Sequence, residues 1–194
     1  KKMITKNGSA VQDSYNELEK LAIEYALLND VTVVTVSGNF NEPELTYPGA
    51  YKYNANIASP IVVSGVNEQL DRATLSNYSM GVDVAAPSER ILATVPNYLY
   101  GKKYEIVSGT SFAAAYVSGL AALIKASDTS LDNNLIKNII LETAKDLDPP
   151  GKDEKFGFGL IDIKKSLEYP RLSLMLDHST GISYGDLVSG KYQL

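Results

Sequence analysis

Hydrophobic side chains near the start of the chain recur with the period of a helix. In residues 12–29, Tyr15, Leu18, Ala22 and Tyr25 stand three or four positions apart. This spacing predicts an amphipathic helix that buries these four side chains along one face.

Three apolar runs follow, at residues 31–36, 60–66 and 82–87. The first of them, VTVVTV, consists of valine and threonine alone. A β-branched run without polar alternation predicts a parallel strand that is covered on both faces. We expect all three runs to be strands of one sheet.

Two helices are predicted in the second half of the chain. Residues 112–126 are rich in alanine and nearly free of charge, which predicts a helix buried on all sides. Residues 131–145 predict an amphipathic helix that is ended by Asp148-Pro149-Pro150. The whole pattern predicts an α/β fold with three layers, α/β/α, and a mostly parallel sheet.

The composition narrows the range of partners. The 194 residues carry 18 Lys and Arg against 23 Asp and Glu, a net charge of -5, so no basic surface favours nucleic acid or anionic lipid. The absence of cysteine excludes disulfides, thiolate metal sites and a cysteine nucleophile. The sequence predicts no signal peptide in residues 1–10 and no membrane span.

A candidate nucleophile lies where the alanine-rich helix begins. Residues 109–119 read GTSFAAAYVSG and place Ser111 at the helix N-terminus, where free N–H groups and the helix dipole stabilise negative charge. Small residues after it leave the space beside the serine open. The alternative is that Thr110 or Ser111 only caps the helix, which is the commoner role of a lone serine there.

Several segments resemble, in the same order, those of the subtilisin-like serine proteases. Residues 109–119 resemble the family's nucleophile motif, and VTVVTVSGN at 31–39 resembles its strand that ends in Gly-Asn. Lesser matches are Tyr47-Pro48-Gly49, ATLSNYSMGVDVAAP at 73–87 and FGFGLIDIKKSL at 156–167. The resemblance covers roughly residues 12–169.

The resemblance implies two catalytic roles. It makes Ser111 the counterpart of the catalytic serine and Asn39 the counterpart of the asparagine of the oxyanion hole. Without that role, Asn39 would be an ordinary turn residue. Within the nucleophile motif, Ala115 replaces the proline that is usual in the family.

The resemblance also implies a specificity pocket. Thr46 stands where many relatives have a glycine at the base of this pocket, and Val36, Ser37 and Gly38 would line it. A side chain at Thr46 would make the pocket shallower. We therefore expect substrates with small or medium apolar side chains, while a plain strand end is the alternative interpretation of these residues.

The catalytic triad is incomplete in this sequence. A serine nucleophile needs a histidine base that a carboxylate orients, and in the family the aspartate and the histidine precede the serine. The sole histidine, His178, follows Ser111, and the adjacent Asp177 would point to the opposite face of an extended segment. We expect the triad Asp and His upstream of this chain, which would be a domain incomplete at its N-terminus and inactive alone.

This expectation defines the partners and the domains. The partners are a polypeptide substrate and the N-terminal part of the same catalytic domain. Without that part an apolar face and a sheet edge are uncovered, so the chain should self-associate or recruit residues 170–194. We assign residues 1–169 to the peptidase domain and 170–194 to a β-rich extension or the start of a further domain.

Two other functions stay open at this level. A pseudoprotease would keep the fold for binding alone, although such a protein has no need of Ser111 or Asn39. A hydrolase with another base would use Lys102 or Lys103, although the Gly-x-Ser-x-Gly elbow of α/β-hydrolases is absent. No cofactor is required. The resemblance makes calcium in loops plausible, with no ligand cluster in the sequence, and it favours a secreted or cell-envelope location.

Overall fold

The computed structural model describes residues 5–6, 9–10, 15–54, 59–147 and 149–169. The predicted extension at 170–194, with its histidine, lies outside these ranges. Two short strands, β1 (Thr5–Lys6) and β2 (Ser9–Ala10), form an antiparallel hairpin.

A parallel three-stranded sheet in the order β3-β4-β5 forms the centre of the molecule. Its strands are β3 (Val34–Val36), β4 (Ile61–Val66) and β5 (Val84–Pro87). On the free side of β5, residues 159–161 hydrogen-bond to Ala85. Within the described ranges, β3 has no strand on its second side. The prediction of an α/β fold with a parallel sheet is confirmed.

The predicted strand positions hold best in the middle of the sheet. The runs at 60–66 and 82–87 contain β4 and β5, and every residue of β4 is buried. The run at 31–36 is a strand only from Val34 onward, and Val31 is 49% exposed. In β3 only Thr35 is buried, so the prediction of full burial for this strand is wrong, because the strand lies at the sheet edge.

Three helices cover one face of the sheet. The longest, α3 (Thr110–Ser127), packs on all three strands, and α4 (Asn133–Thr143) and α5 (Ile163–Leu167) pack beside it. Burial of one large aliphatic side chain stabilises the fold by about 1.5–3 kcal/mol. The core between sheet and helices contains Ile61, Val63, Val84, Val117, Leu120, Ile124 and Ile140.

The second face of the sheet is covered by other segments. Leu45 and Ala50 pack on Val62, and Ala50 belongs to a 3-10 helix, Gly49–Asn54. Phe156 packs on Val66 farther along.

Two predictions of helix burial are wrong. In α1 (Glu17–Leu28) the predicted buried face is exposed, since Leu18 and Tyr25 are 78% and 72% exposed and only Leu27 is buried. Helix α3 is not buried on all sides, because Tyr116 and Leu123 are 42% and 51% exposed. Both helices therefore carry an apolar face that the described residues leave exposed.

A second hairpin leads into α3. It consists of β6 (Ile91–Thr94) and β7 (Tyr104–Val107), with the short helix α2 (Asn97–Tyr100) between them. Helix α4 ends at Thr143, earlier than predicted, because Lys145 leaves the helix to pair with Leu160. None of the helices in the described part of the chain is both long and apolar enough to cross a membrane.

Candidate active site

The end of β3 and the start of α3 meet at one point. Asn39 follows β3 by three residues, and its Oδ1 accepts hydrogen bonds from the backbone N–H of Thr110 at 2.8 Å and from Thr110 Oγ1 at 2.9 Å. Thr110 Oγ1 also lies 3.4 Å from the carbonyl oxygen of Gly38. These contacts bring together the two segments that the sequence singled out.

The orientation of the Asn39 amide follows from these contacts. Because Oδ1 accepts from both donors of Thr110, the Nδ2 amino group must point the other way. Among the described residues Nδ2 has no hydrogen-bond partner. A side chain built on Gly109 would lie 3.6 Å from Nδ2, so this donor lies beside the residues that lead to Ser111.

Ser111 lies in the first turn of α3 with its side chain exposed. The backbone N–H of Thr110 goes to Asn39, and that of Phe112 goes to the carbonyl of Gly109 at 3.0 Å. Between them, the N–H and the hydroxyl of Ser111 bond to no described residue. Ser111 therefore presents a free hydroxyl and a free N–H at the positive end of an 18-residue helix.

The alternative that Thr110 or Ser111 merely caps the helix is wrong. The N-cap of α3 is Gly109, with φ 150° and no side-chain cap. That backbone conformation is one that glycine adopts and that other residues rarely adopt. Gly109 N–H also donates to the carbonyl of Ser88 at 2.8 Å, which anchors the start of the helix to the end of β5.

The four residues of the predicted specificity pocket lie close to Asn39. Thr46 is buried, and its N–H and Oγ1 donate to the carbonyl of Ser37 at 2.9 and 3.3 Å. A methyl group built on Gly38 would lie 2.7 Å from Thr46 Cγ2, so the threonine covers that glycine. Ser37 Oγ lies 3.3 Å from Ser76 Oγ in the interior, and Val36 is half-buried. Their role in binding substrate stays a prediction.

The structure places no alternative general base beside Ser111 among the described residues. Lys102 forms an ion pair with Glu105 on β7, and Lys103 precedes that strand. The four residues of β7 at roughly 3.3 Å each separate both lysines from the loop before Ser111. His178 lies outside the described residues, and within those residues there is no histidine.

A buried charge cluster lies at the opposite end of the strands. Asp83, 2% exposed, pairs with Lys52 through Oδ1 and accepts from the N–H of Val62 at 2.9 Å through Oδ2. Lys137 Nζ lies 3.7 Å from the same Oδ2 and donates to the carbonyl oxygens of Ser59 and Pro60. Burial lowers the pKa of both lysines, and the charge of Asp83 opposes this shift.

Calcium binding stays a prediction, and the acidic side chains of the described residues give it no support. The described residues contain no group of three or more His, Cys, Asp or Glu side chains that could hold a metal ion. Their most buried carboxylate, Asp83, is already neutralised by two ammonium groups.

The sequence alone does not reveal the roles of two polar residues near the site. Thr110 orients Asn39, and the fully buried Asn77 bonds to the loop that follows Asn39. Asn77 lies in the segment SNYS, which a single sequence cannot distinguish from an ordinary turn.

The chain is similar to proteases of known sequence. The model of the Subtilase family, Peptidase_S8, matches residues 5–159. Alkaline elastase YaB of Bacillus sp. (strain YaB) is 34% identical over 141 residues, which are 73% of this chain and 34% of that protein. Subtilisin Savinase of Lederbergia lenta is 33% identical over 141 residues, 73% of this chain and 48% of that protein. The chain thus spans less than half the length of these two curated relatives.

The fold is similar to that of solved proteases. A protease from Pseudoalteromonas arctica PAMC 21717 superposes with a TM-score of 0.69 at 28% identity, over 81% of this chain and 48% of that one. The prenylagaramide maturation protease PagA superposes with a TM-score of 0.66 at 25% identity, over 84% of this chain and 57% of that one.

Proposed function

The chain belongs to the Subtilase family, and from this membership we propose that it supplies the nucleophile and the oxyanion hole of a serine endopeptidase. The observation that carries the proposal is the pair of Thr110 donors on Asn39 Oδ1. They turn Asn39 Nδ2 away from Thr110, and among the described residues neither this donor nor the Ser111 N–H has a partner.

The proposed reaction is acyl transfer to Ser111. The Ser111 hydroxyl attacks the scissile carbonyl carbon and loses its proton to a histidine, and the carbonyl oxygen becomes an oxyanion. When the oxyanion collapses, the C–N bond breaks, the histidine gives its proton to the leaving amine, and the acyl group stays on Ser111 until water releases it. Asn39 Nδ2 and the N–H of Ser111 donate to that oxyanion. Loss of one such donor costs about 10²–10³ in kcat, a magnitude taken from a subtilisin, which is a member of this family.

We propose that the histidine and its aspartate come from polypeptide that precedes these residues in the complete protein. This chain covers 34% of one relative and 48% of another, so the relatives contain much additional sequence. The free Ser111 hydroxyl supports the proposal, since nothing described on this chain takes its proton.

The exposed apolar face of α3 is evidence that a second polypeptide segment packs on this helix. A groove of about 610 Å³ runs along the helix beyond the candidate site. Its lining is apolar and includes Ile91, Ala115, Tyr116, Gly119, Leu123 and Ile163. An exposed apolar surface of this kind is typical of an interface. We propose that the remaining part of the catalytic domain packs in this groove.

The substrate is proposed to be a polypeptide with a small or medium apolar side chain before the scissile bond. The buried Thr46 supports this choice, because its methyl group covers Gly38. For location, the relatives include the Major intracellular serine protease of Bacillus subtilis (strain 168), 39% identical over 112 residues that make up 55% of this chain and 32% of that protein. A subtilase need not be secreted, and secretion stays a prediction.

The decisive experiment uses the complete protein with its upstream segment. We expect a fluorophosphonate probe to label Ser111 stoichiometrically and Ser111→Ala to abolish both labelling and peptide hydrolysis. Asn39→Ala should keep the substrate KM and lower kcat by about 10²–10³. A complete protein that is neither labelled nor active would instead favour a binding protein that keeps the fold.

A further inference from the structure

Asn77 clamps the loop that carries Asn39. Its side chain is fully buried. Asn77 Oδ1 accepts from the backbone N–H groups of Phe40 at 2.7 Å and Glu42 at 3.2 Å, and Nδ2 donates to the carbonyl of Glu44 at 2.9 Å. The backbone N–H of Asn77 donates to the carbonyl of Gly38 at 3.0 Å. These four bonds hold the chain on both sides of Asn39.

The loop depends on these bonds because it contains no regular structure. Residues 37–46 lie outside every strand and helix. Gly38 has φ 124°, and a side chain built on it would lie 2.6 Å from Asn77 Nδ2. The glycine thus lets the buried amide approach the backbone next to Asn39. Without the amide, two N–H groups and one carbonyl of the loop lose their partners.

The side chain of Asn39 is fixed at one end only. Thr110 holds its Oδ1, while the position of its Cα is set by Gly38 and Phe40, which Asn77 holds. Two separate anchors thus determine where Nδ2 points. An oxyanion hole works only when its donors are already in place as charge develops, and a misplacement of about 1 Å can cost about 10²-fold in rate.

We propose that Asn77 is a positioning residue of the oxyanion hole and acts on the reaction through Asn39. The inference rests on the proposed function, since it presumes that Asn39 Nδ2 binds the oxyanion. A residue that only supported the loop would change the stability of the fold and leave kcat intact below the unfolding transition.

The test is a double-mutant cycle in the complete protease. Asn77→Ser removes the amide, and Asn77→Asp keeps the Oδ1 acceptor but removes the donor to Glu44, which provides a second variant where the first folds poorly. With a peptide anilide we expect kcat to fall about 10- to 100-fold at unchanged KM. In an Asn39→Ala background the same substitutions should lower kcat no further.

Asn67→Ser is the matched control. Asn67 Oδ1 also accepts from two backbone N–H groups, those of Gln69 and Asp71, but in the turn that follows β4 and not in the loop that carries Asn39. We expect its kcat to equal that of the unmodified enzyme. An equal loss of kcat in both Asn39 backgrounds, or no loss at all in a folded variant, would overturn the inference. An unchanged kcat in Asn39→Ala, or an inactive unmodified enzyme, would overturn the proposed function itself.

Discussion

Asn39 Oδ1 and Thr110 Oγ1 lie 2.9 Å apart although 71 positions separate them in the sequence. The bond joins the loop after an edge strand to the first residue of a core helix. It also decides which end of the Asn39 amide faces Ser111. The proposed oxyanion hole therefore depends on a tertiary contact in addition to the two motifs.

Residues 1–194 alone are expected to be catalytically silent. The Ser111 hydroxyl has no described partner to take its proton, and loss of the histidine from a triad costs about 2 × 10⁶ in kcat, as measured for a subtilisin. Mass spectrometry should find no fluorophosphonate adduct on the isolated chain, and stoichiometric adduct on Ser111 once the upstream segment is present. Strong labelling of the isolated chain that His178→Ala abolishes would refute this prediction.

Thr46→Gly is expected to widen the range of substrates. Removing the side chain that covers Gly38 opens space in the predicted pocket, and one methylene group in such a pocket is worth about 1–3 kcal/mol. In the complete protease the ratio of kcat/KM for phenylalanyl over alanyl peptides should rise at least about tenfold. Thr46→Ser is a graded variant, because it loses the methyl group that covers Gly38 and retains a hydroxyl for the carbonyl of Ser37. It should give an intermediate ratio, and two unchanged ratios would rule out Thr46 as a specificity residue.

Alkaline pH is expected to weaken the anchor between α1 and the 3-10 helix. The Tyr51 hydroxyl donates to Glu19 Oε2 at 2.6 Å, and its oxygen also lies 2.9 Å from the carbonyl oxygen of Asn16. Burial, and then the bond to Glu19, raise the pKa of Tyr51 from 10.0 to about 12. The protonated phenol is favoured in the folded state. Its contribution to stability is therefore complete below pH 10 and is lost as the pH rises through about 12.

Denaturant unfolding at a series of pH values checks this. Tyr51→Phe should lower stability at neutral pH and flatten the decline of stability above pH 10. Tyr25→Phe is the control, since the Tyr25 side chain lies on the same helix α1 but is 72% exposed. A Tyr51→Phe protein with the same alkaline decline as the parent would contradict the assignment.

The isolated chain is expected to self-associate through the groove along α3. Leu123 is 51% exposed and lines this groove, so Leu123→Gln should lower the apparent mass in light scattering without loss of folded structure. Leu92→Gln is the control, because Leu92 is more exposed, at 69%, but lies on the hairpin. A parent chain that is already monomeric, or equal effects of both substitutions, would disprove this role for the groove.

The sequence predicts the elements well where burial is local. β4 is apolar throughout and is buried throughout, so its pattern and its environment agree. For α1 they disagree, because Leu18 and Tyr25 have helical spacing yet face solvent. Periodicity reports which face a helix would bury, but not whether the covering segment is among the residues at hand.

In the candidate site, too, the sequence predicts the residues with a local pattern and not those that act through distant contacts. Ser111 and Asn39 could be identified because each stands in a segment with a recognisable local pattern. The parts played by Thr110 and Asn77 could not, since their bonds reach residues 71 and 37 positions away. Hydrogen bonds over such distances depend on how the loops meet, which no local spacing encodes.

The free edge of the three-stranded sheet indicates how the chain would combine with the rest of the proposed catalytic domain. Residues 159–161 already occupy the far side of β5, so within the part of the chain that the structure describes a new strand can join this sheet only beside Val34–Val36. Unpaired backbone groups there can hydrogen-bond to an added strand, whose own hydrophobic pattern would set the register. A polypeptide supplied in trans would therefore be received at this edge of the sheet, and restored peptidase activity would report that the two segments had met.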